Sequence, residues 1–157
     1  MNAIKSRLSW KRVLVLCGLL LLVPAALLFA APAPPDPAVV SFDYSSWTVN
    51  QSDGTATVTI TMTGTPTDVV SVMVSTDTTG TATPQVDFVP NQQQLVWQPT
   101  DAGTSQSFTI QILNNYAVGP ALTVGLNLSQ LSSNAIYGNP TAVLYILNDS
   151  QACPPPP

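Results

Sequence analysis

Nine consecutive residues, Thr55 to Thr63, read TATVTITMT: Ala56, Val58, Ile60 and Met62 fall on one side of the chain and five threonines on the other. A period of two is that of a β-strand, and a clean split between apolar and hydroxyl side chains puts one face against a core and the other in water. The alternation returns at Val70, Val72 and Val74, at Phe108, Ile110 and Ile112, and at Leu122, Val124, Leu126 and Leu128. Shorter or less regular stretches, Val39 to Val49, Gln94 to Trp97 and Thr141 to Leu147, bring the expected strands to seven. Turn-forming residues separate them: Asp53-Gly54, Gly64-Thr65-Pro66, Thr79-Gly80, Asp101-Ala102-Gly103, Gly119-Pro120 and Gly138-Asn139-Pro140.

Seven short strands in roughly 110 residues, with no helical period among them, predict an all-β, seven-stranded antiparallel immunoglobulin-like sandwich. The Cys…Trp…Cys pattern of antibody domains is absent. An N-terminal hydrophobic helix is expected before the sandwich. All four basic residues, Lys5, Arg7, Lys11 and Arg12, precede an apolar run from Val13 to Ala31. As a helix that run reaches ~28 Å, about the thickness of a bilayer core, which suits a signal anchor. Pro24 and the alanines after it suit the end of a cleavable signal instead. Either way, positive charge before the run and none after it predicts a secreted or membrane-anchored protein exposed outside the cytoplasm. The expected organisation is 1–33 signal peptide or anchor, 34–38 Pro-rich linker, 39–151 sandwich and 152–157 Pro-rich tail.

Beyond residue 31 there is no Lys, Arg, His or Glu, and the only charged side chains are eight aspartates. A field of one sign repels phosphate backbones, so nucleic acid is excluded as a partner. The same inventory lacks a general base near neutral pH and a histidine metal ligand, so no enzyme is expected. Cys17 lies within the apolar run and Cys153 in the tail, which leaves the domain without an internal disulfide.

More specific than the strand pattern is STDTTGTATPQVDFVP, Ser75 to Pro90, followed by LVWQPTDAGTSQSFTIQILNN, Leu95 to Asn115. With the opening FDYSSWTVNQSDGTATVTI and the closing AVLYILNDS, this resembles the Calx-beta domain, over about residues 39 to 151. The best match is Gly80-Thr81-Ala82 followed by Asp87-Phe88, where the family has Gly-Thr-Ala, a short gap and Asp-Tyr. The resemblance implies a sandwich that, in calcium-binding members, gathers carboxylates at one end. Here Gln51 stands at the hairpin Glu, Asn114 and Asn115 at an acidic pair, and Asn148 at the first acid of a terminal pair. Asp87 and Asp149 keep their carboxylates and are the metal-site candidates, with Asp53 or Asp77 as further donors to a weak residual calcium site.

Calcium favours six to eight oxygens and many anionic ligands. Amides in place of acids predict a metal-independent polar cluster, with no cofactor or at most weakly held calcium; alternatively the Asn pair simply closes a turn. The expected function is a non-catalytic cell-surface module for adhesion, spacing or protein interaction. A calcium-binding domain with a reduced site and a carbohydrate-binding module are the alternatives, the latter using Trp47, Trp97, Tyr116 and Tyr137 as flat platforms. Expected partners are an extracellular protein or surface polymer, the membrane through an uncleaved N-terminal segment, and a second copy through edge strands that no lysine protects.

Overall fold

A computed structural model of the chain describes residues 36–116 and 118–149. The expected N-terminal helix and the Pro-rich tail lie outside them. Among the described residues nine strands form two sheets: β1 Ala38–Phe42, β2 Ser46–Asn50, β3 Thr55–Thr63, β4 Val70–Asp77, β5 Gln92–Trp97, β6 Ser105–Gln111, β7 Leu122–Ser129, β8 Ala135–Tyr137 and β9 Thr141–Leu147. The first sheet runs β6-β3-β1-β8 and the second β2-β9-β7-β4-β5.

The expected seven strands become nine for two reasons. The stretch Val39 to Val49 is not one strand: it bends at Asp43–Ser45, and its halves join different sheets as β1 and β2. β8 has only three residues and lies against β1, with Ile136 and Tyr137 exposed, so no alternation announces it. Both terminal pairings are parallel, β1 with β8 and β2 with β9, which corrects the wholly antiparallel expectation.

The alternation in TATVTITMT does what the sequence predicts. Ala56, Val58, Ile60 and Met62 are buried, opposite Phe108 and Ile110 from β6 and Val40 and Phe42 from β1. From the second sheet Val70, Val72, Val74, Leu95, Trp97, Val124, Leu126, Leu144 and Ile146 complete one core. Burying a large apolar side chain contributes about 1.5–3 kcal/mol, and with no basic residue after Arg12 this burial and the backbone ladders hold the domain together.

Gly80 explains the Gly-Thr-Ala signature. β4 leaves its pairing with β7 at Asp77, opposite Gly125, and the loop after it docks onto the next residues of β7. The Ala82 amide donates to the Thr123 carbonyl at 2.9 Å, and the Thr81 amide donates to the Thr123 hydroxyl at 3.0 Å. A Cβ on Gly80 would run into that same Thr123 carbonyl. The glycine therefore permits close backbone approach, and buried Ala82 then pins the loop that carries Asp87.

Candidate functional site

β2 ends in a single 3-10 turn, Gln51–Asp53, closed by Gly54 at φ 72°. Asp53 holds the turn by accepting from the Asn50 amide at 3.0 Å. The turn sends Gln51 inward, where its side chain is 0% exposed. Asp87, 5% exposed, arrives on the loop between β4 and β5, and its backbone carbonyl accepts from the Leu113 amide just after β6. Asn115 lies two residues further along. These three elements bring their polar side chains together at one end of the sandwich.

The contacts form a directed chain. Asp87 Oδ2 accepts from the Thr83 amide at 2.7 Å, and Asp87 Oδ1 accepts from Asn115 Nδ2 at 2.7 Å. Asn115 Oδ1 in turn accepts from Gln51 Nε2 at 2.6 Å. A carboxylate only accepts hydrogen bonds, so Asp87 turns the Asn115 NH₂ toward itself and the Asn115 oxygen toward Gln51. The chain then ends on Gln51 Oε1, which is buried and has no donor among the described residues. The adjacent amides thus divide their work: Asn115 joins the cluster, whereas Asn114 Oδ1 accepts from the Tyr116 amide at 3.1 Å and shapes a loop in which Tyr116 takes φ 58°.

Asp149 is placed differently. It is exposed, and Ser52 reaches it twice: the Ser52 amide donates to Oδ1 at 3.1 Å and the Ser52 hydroxyl donates to Oδ2. The hydroxyl bond is the main cause that holds the Asp149 carboxyl below its ordinary value of 3.8, with desolvation opposing it and the backbone amide bond from Ser52 adding to it. Nearby, Asn148 Nδ2 donates to the Pro120 carbonyl at 2.9 Å, fastening the end of β9 to the loop before β7. Asp77 lies over Gly125, accepting from the Thr79 amide at 2.8 Å and the Thr79 hydroxyl at 2.5 Å.

Both oxygens of Asp87 and both of Asp149 are therefore engaged by protein donors, and Asp53 and Asp77 each stabilise a local turn. Among the described residues no three of Asp, Glu, His and Cys gather into a metal-holding group. As arranged, this donor set does not fit a calcium ion, which needs six to eight oxygens with several anionic among them. Thr83 and Ser52 differ in how far the sequence points to them: Thr83 lies four residues before Asp87, at turn spacing, whereas nothing near Ser52 points to Asp149.

Of the four candidate platforms for sugar rings, Trp97 is 0% exposed in the core. Trp47 is partly buried, meeting Phe42 and Tyr44 edge-on at ring distances of 5.8 and 5.9 Å. Tyr116 is exposed on its loop, and Tyr137, on β8, accepts from the Leu131 amide at 3.1 Å.

A two-sheet sandwich whose first and last strands cross together from one sheet to the other, with a polar cluster at the end where they finish, defines an all-β sandwich module. The Calx-beta domain family matches residues 34–150, and the chain belongs to it. The fold is similar to that of the apo-form Calx CBD1 domain, at TM-score 0.66 and 23% identity over 73% of this chain and 99% of that one. It is also similar to the calcium binding domain CBD12 of CALX1.1, at TM-score 0.64 and 24% identity over 71% of this chain and 44% of that one. The Calx CBD2 domain follows at TM-score 0.56 and 14% identity, covering 69% of this chain and 85% of that one. Comparison with curated proteins gives no match.

Proposed function

We propose that this Calx-beta domain is a non-catalytic module, held outside the cytoplasm, that spaces or links surface components and fixes its polar end with its own amides in place of calcium. The observation that carries the reading is the chain Gln51–Asn115–Asp87–Thr83. Two of its members are amides at positions where the resemblance implies acids, and they hydrogen-bond each other and the remaining carboxylate. Acids crowded without a metal repel one another, whereas amides of similar shape bond pairwise and leave the apo domain ordered. Charge supports an extracellular setting: basic residues stop at Arg12, before the apolar run, and none follow it. The absence of Lys, Arg, His and Glu from the domain supports a non-catalytic role. The partner on this reading is another extracellular protein or a surface polymer.

The test is calcium titration by calorimetry on the full chain, with melting curves in chelator and in about 1 mM Ca²⁺, the range of weak extracellular calcium modules. The expected outcome is no heat of binding and coincident melts. Binding heat with a raised midpoint would mean that calcium displaces the amide contacts, making the domain a calcium-controlled one with a reduced site built on Asp87 and Asp149.

A further inference from the structure

The first and last strands of the domain are joined on both sides of the bend with one register. Ala38 is opposite Ala135, Ser46 opposite Val143 and Asn50 opposite Leu147, and the Ser52–Asp149 pair keeps the same separation of 97 residues. Between the two strand pairings, at the bend, the Phe42 amide donates to the Asn139 carbonyl at 3.0 Å and the Val143 amide donates to the Ser45 carbonyl at 3.0 Å. The result is a parallel two-stranded ribbon that changes sheets without breaking step.

The ribbon also sets where the chain enters and leaves the sandwich. β3 runs back beside β1, with Thr63 opposite Val39, while its first residue follows the turn that ends β2. β1 and β2 together therefore traverse the length of β3, nine residues or ~30 Å. The chain enters at Ala38 at one pole and leaves after Leu147 at the other.

We propose that this ribbon is a shear clamp and that the domain carries tension between whatever is attached at its two poles. The inference rests on the spacer reading above and gives it a mechanical function. A pull on both ends draws the first strand toward one pole and β9 toward the other, along their shared axis. Hydrogen bonds crossing the ribbon then stretch simultaneously, whereas a pull across the sheets opens them one after another from an end. The Ser52–Asp149 contact lies where tension from the C-terminal side first arrives, so Asp149 shares that tension with the β2–turn junction before the β9 ladder takes it.

The experiment is single-molecule unfolding of the full chain along two axes. One axis runs between tags at the N- and C-termini. The other runs between cysteines introduced by Ala102→Cys and Ser133→Cys, both in loops at the entry pole, with Cys17→Ser and Cys153→Ser. The expected result is a clearly higher unfolding force along the terminal axis. Asp149→Ala is expected to raise the unfolding rate at fixed force along that axis by about tenfold, the effect of losing one to two net hydrogen bonds, and to leave the transverse axis unchanged. Equal forces along both axes overturn the clamp without needing any variant to fold. An equal loss along both axes overturns the role of Asp149 in it. Neither result touches the calcium melts, so failure of the clamp and failure of the amide-for-calcium reading are told apart.

Discussion

Single residues carry much of this domain's order because each answers a local physical demand. Gly80 allows one backbone to reach another, and Asp87 gives a direction to every amide bonded through it. Asp149 is held ionised below its ordinary range chiefly by the Ser52 hydroxyl. A carboxyl lowered by folding contributes stability that is present above its ordinary value, 3.8 for Asp149, and is lost as pH falls through the folded value. Ser52→Ala removes the main cause, so denaturant unfolding from pH 7 down to about pH 2 should show the wild type's advantage narrowing below about pH 4. Curves that stay parallel through that range would mean the bond does not couple to protonation. The candidate aspartates were legible in the sequence, but Ser52 was not, because a serine beside a turn gives no signal of the strand end it will meet 97 residues away.

Strands with one wet face were legible because their alternation is set locally. β3 and β6 emerged much as read, whereas β8 did not, since three residues lying mostly exposed on a sheet edge have no apolar period to display. Edge protection was equally hidden. With no lysine available, Gln106 on β6 donates across the flank to the Val96 carbonyl of β5 at 2.6 Å, and Asn91 donates to the Thr109 carbonyl of β6 at 2.9 Å. Amides thus cover acceptors that an incoming strand would use. Asn91→Ala combined with Gln106→Ala should add concentration-dependent mass in sedimentation beyond any shown by the wild type. An unchanged mass profile would mean that these carbonyls are not what keeps that flank closed.

Across the whole domain, from Pro34 onward, charge acts in one direction only. The domain's eight aspartates have no basic partner after Arg12, so their long-range interaction is repulsive and salt screens it over about 10 Å at 0.1 M. Raising NaCl from about 10 mM to about 0.5 M should therefore raise the melting midpoint modestly. A falling midpoint would reveal an attraction between charges that the fold does not display. Stability rests on the shared core and on ladders that tie the first strand to the last, which is also what gives the molecule a pole-to-pole axis.

The sequence by itself determined the all-β two-sheet class, the face each main strand buries and the absence of basic groups after Arg12. Those properties follow from side-chain chemistry and short-range periodicity. Only the tertiary structure decided that Val39 to Val49 splits between two sheets, that Asn115 and Gln51 meet Asp87, and that Ser52 meets Asp149. Each of those depends on contacts between segments far apart in the chain, whose register is set by how two twisted sheets pack rather than by any residue's immediate neighbours.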